Sequence, residues 1–322
     1  MLGIALYIII FLVSCFVLVK SGSWLIRALI RISQFLRWTE FVVSFILMAF
    51  ATSVPEFFVG ITSAIHKVPE VSLGNIIGAN VINLTLVVGI GAIIAKGLDL
   101  ETSVAKRDSL YTAFIAILPI IALLDGIISR ADAFILIIVT LFYFYQVFSQ
   151  KEIFTKVFRD SFKRRTARLW KRFFIDIFIF IFSLGLLLIS AEGIIRSTVY
   201  FAEYIKLPLI FVGIVFVAIG TALPELTFGV KSIMLGKKEM ILGNVMGSVV
   251  VNSSLILGTV ALIHPIEIVG FLPFIARILF TFLAAAAFYF FARHKEHISE
   301  KEGKILIMIY VLFILFEVIL QF

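Results

Sequence analysis

Two glutamates of this chain lie inside long apolar segments, and each of them directly follows a proline. Glu56 ends the sequence TSVPE at 52–56, and Glu225 ends the sequence TALPE at 221–225. An ionised carboxylate is costly in such surroundings, so a glutamate there indicates a functional site that handles cations or protons. Two glutamates at matched positions predict one site that is assembled from two parts of the chain.

The two glutamates belong to a duplicated segment whose copies are offset by 169 residues without a gap. The sequence GNIIGAN begins at Gly74, and the sequence GNVMGSV begins at Gly243, again at the same offset. Asn83 and Asn252 each lie nine residues after these glycines. The small residues of the GNxxG motif favour close helix packing, and the two asparagines each add a neutral oxygen.

The composition excludes an ordinary soluble domain. Hydrophobic residues make up 62% of the chain and charged residues only 15%, with a mean hydropathy of +1.15, whereas soluble chains carry about 25% charged residues. A membrane helix needs roughly 20 apolar residues, and the bilayer favours helices because it leaves no backbone group to water. We predict an all-α polytopic membrane protein. Its ten candidate spans are 3–19, 41–65, 71–95, 109–125, 130–148, 173–195, 208–230, 240–263, 270–292 and 304–321.

Charge placement predicts the orientation of these spans. Most of the 28 lysines and arginines fall in the odd-numbered loops, which the positive-inside rule assigns to the cytoplasm. Both termini are then expected outside the cell membrane. The net charge of +8 therefore follows from topology, and we expect no nucleic-acid partner.

The predicted spans divide into two halves of five. We assign 1–148 to the first repeat, 149–172 to a basic cytoplasmic linker and 173–322 to the second repeat. Because five is odd, the second repeat must cross the membrane in the opposite orientation. Inverted repeats are typical of secondary transporters, whose substrate site lies near the midplane. The linker either follows the positive-inside rule alone or attracts anionic lipid of the inner leaflet, and membrane lipid is an expected partner.

The repeated residues offer hard oxygen ligands. Each proline should interrupt its helix and free carbonyls around 49–52 and 218–221. Together with the carboxylates, hydroxyls and amides of both copies, these suit Ca²⁺ or alkali ions better than zinc or copper. Two carboxylates balance one divalent ion, and an empty pair would take up a proton or monovalent cations instead. The pattern therefore predicts a site that exchanges one cation for another.

Other classes receive less support from the sequence. A cation channel lined by the two glutamates is a possible use of the same residues, but an inverted repeat with broken helices favours alternating access. The chain has no GxxxxGK[ST], no HExxH and a single cysteine, Cys15. We therefore predict no enzyme and no cofactor other than the transported ions. Glu192 and Glu317 have no counterpart in the other copy and remain unassigned.

The sequences TSVPE with GNIIG and GTALPE with GNVMGS resemble the two alpha-repeats of the sodium/calcium exchangers, in the cation/calcium exchanger superfamily. The short chain is most similar to the compact prokaryotic members. The resemblance implies antiport of Na⁺ against Ca²⁺, typically three for one, in a monomer. It also implies alternating access in which spans 1 and 6 slide against the other eight.

The resemblance further implies a role for each residue of the motifs. Glu56 and Glu225 would bind Ca²⁺ and share Na⁺, with backbone carbonyls from Thr52 and Thr221. Asn83 and Asn252 would line the central site. The residues expected to serve flanking Na⁺ sites are Ser53 and Ser248 through their side chains and Ala49 and Ala218 through their carbonyls.

The chain departs from the family pattern at two hydroxyl positions. The family usually has serine where this chain has Ala79 and Ala222. It also has asparagine at the position of Val249 and glycine at that of Ala51. Because two hydroxyl oxygens are missing near the flanking sites, an H⁺-coupled or other divalent-cation exchanger of the same fold is the alternative to Na⁺ coupling.

Overall fold

The computed structural model describes residues 2–36, 52–99, 103–149, 167–234, 236, 238–268, 271–293 and 297–321. Helices account for nearly all of them. The elements before the linker are α1 (Leu2–Leu36), α2 (Val54–Ile65), α3 (Pro69–Val81), α4 (Val88–Ala95), β1 (Leu98–Asp99), α5 (Ser103–Ala122), β2 (Ile127–Ile128) and α6 (Arg130–Ser149). Those after it are α7 (Ala167–Ile205), α8 (Leu209–Val212), α9 (Ala218–Thr221), α10 (Leu223–Met234), α11 (Glu239–Val250), α12 (Leu257–Ile263), β3 (Ile266–Glu267), α13 (Phe271–Arg293), β4 (His297–Ile298) and α14 (Glu300–Ile319).

Three π-helical segments join consecutive α-helices. They are Ile82–Val87 between α3 and α4, Gly213–Val217 between α8 and α9, and Val251–Ile256 between α11 and α12. The first and third lie 169 residues apart, so the two copies share this local structure as well as their sequence. In each, a hydroxyl bonds the carbonyl four residues earlier: Thr85 bonds Val81 and Ser254 bonds Val250.

Five stretches in the described part of the chain are long and apolar enough to cross a membrane. They are Gly3–Leu29, Pro69–Ala95, Trp170–Ile205, Leu209–Met234 and Met240–Ile263. The helical fold and its apolar segments agree with the predicted class of protein. The count of ten spans stays a prediction, and residues 41–51 of the predicted span 41–65 lie outside the described residues.

Burial separates two helices from the rest. Within their most apolar windows, 83% of the residues are buried for Pro69–Ala95 and 78% for Met240–Ile263, against 17% for Gly3–Leu29 and 22% for Trp170–Ile205. We call α1 and α7 the peripheral pair, because they pack mainly along each other, and the remaining helices the core. The outer face of the pair exposes large apolar side chains such as Phe16 and Ile189, as expected of a surface in contact with lipid.

The two copies are also joined by backbone pairing. The short strand β1 pairs with β4, and β2 pairs with β3, both in antiparallel register. Each pair takes one strand from either side of the linker. The helices that follow β2 and β4 begin alike: Ser129 and Asp132 cap α6, while Ser299 and Glu302 form a capping box on α14. Such caps satisfy the free N–H groups at a helix start.

Candidate cation site

A helix begins at the proline in each copy, and in the second copy the described chain also shows the helix that ends before it. The helix α2 begins at Val54, after a turn at Thr52 and Ser53, with Pro55 in its first turn. In the second copy α9 ends at Thr221 and α10 begins at Leu223. Proline lacks an N–H and is best tolerated in the first turn of a helix, so each proline favours a helix start at this point. Each glutamate therefore lies in the first turn of its helix, Glu56 in α2 and Glu225 in α10.

The carboxylates of Glu56 and Glu225 are completely buried. None of their four oxygens has a hydrogen-bond partner among the described residues. The two side chains are close enough for their charges to interact. Each also lies beside the threonine hydroxyl of the opposite copy, Glu56 by Thr221 and Glu225 by Thr52. Residues far apart in sequence thus place two unsatisfied carboxylates together, at the positively polarised N-terminal ends of two helices.

The threonines of the two motifs reach across to the opposite copy. The Thr52 hydroxyl donates to Asn244 Oδ1 at 3.1 Å, and the Thr221 hydroxyl donates to Asn75 Oδ1 at 2.9 Å. Both residue pairs are related by the 169-residue offset, so the same contact is made twice between the copies. Asn75 and Asn244 were not among the predicted site residues. Their presence in both copies of the GNxxG motif was the signal that identifies them.

The amides of Asn83 and Asn252 are fully buried, and neither their nitrogen nor their oxygen has a partner in the described part of the chain. Each is the second residue of a π-helical segment, in Ile82–Val87 and Val251–Ile256. Such segments are frequent at functional sites because they re-aim side chains out of the regular helix. Buried amides without partners indicate that a ligand or water belongs beside them.

The predicted serine and alanine ligands differ in whether their oxygens already form hydrogen bonds. Ser53 is buried and its hydroxyl has no partner within the described ranges. The Ser248 hydroxyl lies 2.8 Å from that of Thr52. The Ala218 carbonyl accepts the amide of Ala222 at 2.9 Å, so it keeps a lone pair but is not free as predicted. Ala49 lies outside the described residues, as does Ala51.

Glycines bring the helices of the site into backbone contact. A methyl group added at Gly74 would lie 2.2 Å from the Ile210 carbonyl oxygen, and one at Gly78 would lie 2.6 Å from Ala218 Cβ. Only residues without a side chain allow helices to approach this closely. The approach holds α3 against α8 and α9, and it thereby sets Asn75 within reach of Thr221.

The chemistry of the cluster is that of oxygen donors with two negative charges. Across the described ranges, no group of three or more His, Cys, Asp and Glu side chains comes together. The cluster therefore holds two carboxylates together with hydroxyl and amide oxygens. Such ligands suit hard cations, with Ca²⁺ taking six to eight oxygens at about 2.3–2.6 Å.

Two further charged groups lie away from this cluster. Arg277 donates to Glu317 Oε2 from Nη2 at 2.9 Å and from Nε at 3.2 Å, and both side chains are buried between α13 and α14. Glu192 of the peripheral pair lies 2.6 Å from His66 Nε2 and 2.5 Å from Arg196 Nε. These contacts give the two unassigned glutamates cationic partners within the protein.

The chain matches a known protein family in both of its halves. The sodium/calcium exchanger protein family matches residues 6–149 and 175–319. The chain is 27% identical to sodium/calcium exchanger MaX1 of Methanosarcina acetivorans, over 92% of this chain and 94% of that protein. It is 25% identical to the putative antiporter CaxA of Alkalimonas amylolytica, over 79% and 80% of the two chains.

The fold is also found among solved structures. A structure of the sodium-calcium exchanger NCX_Mj soaked with Na⁺ and Sr²⁺ superposes with a TM-score of 0.64 at 21% identity, covering 96% of this chain and 97% of that one. The family match and the apolar helices place the chain among integral membrane cation exchangers. The chain belongs to the sodium/calcium exchanger protein family. Its relatives are exchangers and antiporters rather than enzymes.

Proposed function

We propose that this protein is a secondary active antiporter that exchanges Na⁺ for Ca²⁺ by alternating access. In this proposal the cation binds between Glu56 and Glu225. One observation supports it most directly: two buried carboxylates, one from each copy of the repeat, lie together with all four oxygens unpaired. A buried carboxylate without a partner is costly, and a bound cation would remove that cost.

Charge balance favours exchange over tight permanent binding. One Ca²⁺ neutralises the two carboxylates, and so do two monovalent cations, whereas the empty pair would be repulsive. The site is therefore most stable when it carries one cargo or the other. A protein whose loaded states are both neutral can reorient across an apolar barrier more easily than the empty, doubly charged form.

Neutral oxygens around the glutamates would complete the coordination shell. Candidate donors are the amide oxygens of Asn83 and Asn252 and backbone carbonyls at Thr52 and Thr221, with Ser53 and Ser248 beside them. All of these residues are buried. With the carboxylates they offer enough oxygens for the six to eight that Ca²⁺ requires.

The contrast between the peripheral pair and the core supports alternating access. None of the described candidate ligands lies on α1 or α7, and the pair is only lightly buried. Its helices contain 35 and 39 residues, which corresponds to roughly 50–60 Å at 1.5 Å per residue and exceeds a hydrocarbon core of about 30 Å. In our proposal this pair, which contains spans 1 and 6, slides along the core to open the site to either side.

The topology belongs to the same proposal. Ten spans in two inverted repeats would place both termini outside the cell and the basic linker 149–172 inside, next to anionic lipid. The protein would act as a monomer in the cell membrane, with Na⁺ and Ca²⁺ as substrates and no resident cofactor.

Proton coupling is the second candidate, on a specific observation. Ala79 and Ala222 are buried and carry no hydroxyl where the family pattern has serine. A proton bonds to a carboxylate oxygen directly and needs no shell of ligands, so an H⁺-coupled exchanger of the same fold would tolerate both alanines.

Ion fluxes into proteoliposomes distinguish these functions. ⁴⁵Ca²⁺ uptake is measured with an outward Na⁺ gradient and, separately, with a pH gradient of the same size. We expect uptake with the Na⁺ gradient and not with the pH gradient. Uptake that follows only the pH gradient would assign proton coupling, and uptake without any counter-ion would indicate a channel.

A further inference from the structure

We propose that Asn80 and Thr140 are positioning residues that orient the amide of Asn252 toward the bound cation. This inference rests on the proposed function, in which Asn252 is a ligand. Asn252 is the second residue of the π-helical segment Val251–Ile256. Two side chains of the first copy form hydrogen bonds with the two serines that directly follow it.

The first of these bonds joins α3 to the π-helical segment. Asn80 lies in the last turn of α3, and its Nδ2 donates to Ser253 Oγ at 2.6 Å. Both side chains are buried. A buried hydrogen bond is costly to break, because the separated groups cannot bond to water instead. Since Ser253 adjoins Asn252, this bond restrains the backbone from which the Asn252 amide projects.

The second bond joins α6 to the same segment. The hydroxyls of Thr140 and Ser254 lie 2.7 Å apart, and both residues are completely buried. Each hydroxyl has one hydrogen and also lies near a carbonyl of its own helix, Thr140 at 3.1 Å from Leu136 and Ser254 at 2.6 Å from Val250. The shorter distance favours donation by Ser254 to Val250, so that Thr140 donates to Ser254. Val250 is the last residue of α11, and α6 is thereby connected to the point where the π-helical segment begins.

The Asn252 amide depends on these neighbours for its orientation. The amide is fully buried, and neither its nitrogen nor its oxygen has a hydrogen-bond partner among the described residues. Its direction is therefore set by the backbone of the π-helical segment. Ca²⁺ binds oxygens within a narrow range of about 2.3–2.6 Å, and residues that orient metal ligands affect metal affinity without touching the ion.

The segment around Asn83 is built differently, although it is the counterpart in the first copy. The residues 169 positions away from Asn80, Ser253 and Thr140 are Val249, Leu84 and Ile309. All three are buried and apolar, so they cannot form the same bonds. The Thr85 hydroxyl bonds the Val81 carbonyl within its own stretch of helix. The two amides of the site are therefore positioned by different interactions, Asn252 by polar bonds between helices and Asn83 by apolar packing.

The first test measures ⁴⁵Ca²⁺ binding to the purified protein by equilibrium dialysis. Thr140→Val keeps the shape of the side chain but removes its hydroxyl, and it should raise the Kd for Ca²⁺ about three- to tenfold, near the lower end of the effect of residues that orient metal ligands. Thr140→Ser restores the hydroxyl and should restore the native Kd. Thr281→Val is the matched control, since it removes a buried hydroxyl that bonds its own helix α13. A native Kd in Thr140→Val would overturn the proposal for Thr140.

A double-mutant cycle separates positioning of Asn252 from a general effect on the fold. Because Ca²⁺ takes about six to eight oxygens, Asn252→Ala should weaken binding without abolishing it. Adding Thr140→Val to Asn252→Ala should change the Kd less than about twofold, whereas adding it to Asn83→Ala should have the same effect as in the native protein. Equal effects in the two backgrounds would overturn the proposal. If Asn252→Ala binds too little Ca²⁺ to measure, thermal unfolding of Thr140→Val decides: lost affinity at an unchanged Tm supports positioning, and a matching loss of stability contradicts it.

The bond from α3 is tested with Asn80→Val, which introduces the residue found at the counterpart position 249. This variant should also raise the Kd for Ca²⁺, and the increase should again disappear in the Asn252→Ala background. An increase that persists in that background would contradict a role through Asn252. If the variant does not fold, the Thr140 variants decide the proposal. Absence of Ca²⁺ binding by the native protein, or native affinity in Asn252→Ala, would instead overturn the proposed function or the ligand role of Asn252 within it.

Discussion

The peripheral pair and the core differ in how deeply their apolar residues are buried and in how closely their helices pack. In the core, Pro69–Ala95 and Met240–Ile263 bury about four fifths of their most apolar windows and Leu209–Met234 buries 56%, while the two helices of the pair bury about one fifth. The core helices approach one another at glycines, and the pair exposes its outer face. Every described candidate ligand belongs to the core. In the proposed mechanism the close-packed core helices hold the cation site, and movement of the peripheral pair gives access to it.

The two regions meet through an apolar cluster that includes Leu18, Leu187 and Val59, and through a polar contact. His66, directly after α2 of the core, contacts Glu192 of α7 at 2.6 Å, and both side chains are about one-third exposed. An exposed ion pair contributes at most about 1 kcal/mol. A polar contact of that strength does not by itself prevent movement of the pair.

The largest effect on transport is expected from the two glutamates at the centre of the core. Glu56→Gln or Glu225→Gln removes one of two charges that bind the cation, at a cost of about 2 kcal/mol or more, so Ca²⁺ uptake should fall at least about thirtyfold. The measurement is ⁴⁵Ca²⁺ uptake by proteoliposomes, with gel filtration as a check on folding. Glu203→Gln, an exposed glutamate on α7, is the control on the pair. Normal uptake in both core variants would refute the site.

A second effect concerns stability of the core alone. Arg277→Met leaves Glu317 buried without its partner, and breaking such a pair costs about 3–5 kcal/mol. Thermal unfolding in detergent should show a clear loss for this variant. The double variant Arg277→Met/Glu317→Leu should recover most of the loss, because no unpaired charge remains. Equal stability of the single variant and the native protein would indicate that the pair is not buried in solution.

Replacing a glycine by alanine should destabilise the core but stabilise the peripheral pair. Gly74→Ala in the core would place a methyl group 2.2 Å from the Ile210 carbonyl oxygen, and overpacking of this kind costs about 1–3 kcal/mol. Gly185→Ala on α7 meets nothing within 4 Å and should stabilise the helix by about 0.5–1 kcal/mol. The same thermal assay compares them. Two losses of similar size would remove the distinction between core and pair.

The smallest effect on transport is expected at the contact between His66 and Glu192. His66→Gln weakens the contact with Glu192 by no more than about 1 kcal/mol, so the exchange rate should change less than about fivefold. Because His66 does not touch the candidate ligands, the apparent affinity for Ca²⁺ should stay the same. Rate and affinity are read from the same Ca²⁺ titration of uptake. A changed affinity for Ca²⁺ with an unchanged rate would indicate that His66 belongs to the cation site and does not act through its contact with Glu192.

Much of the candidate site could be predicted from the sequence because its residues occur in both copies of the repeat. Glu56 and Glu225 stand out in apolar segments, and Pro55 and Pro224 mark the helix starts that the structure contains. Asn75 and Asn244 were overlooked because an asparagine between glycines was interpreted as part of a packing motif. Their bonds to threonines of the opposite copy depend on tertiary contact, which no local pattern encodes.

Other features were beyond the reach of sequence patterns for physical reasons. Arg277 of α13 pairs with Glu317, which the sequence left unassigned, because the contact joins residues that are 40 positions apart. The π-helical segments follow from packing, since their residues have no distinct propensity. The strands contain two residues each, too few for alternation to be visible.

The two strand pairs have a consequence for biogenesis. A ribosome that has completed the first half leaves β1 and β2 without partners, because β4 and β3 are supplied only by the second half. Insertion of the early helices therefore precedes their final docking by the time needed to synthesise the remainder of the chain. Contacts between such distant segments form late and slowly, and a nascent first half is the stage most in need of protection by the insertion machinery.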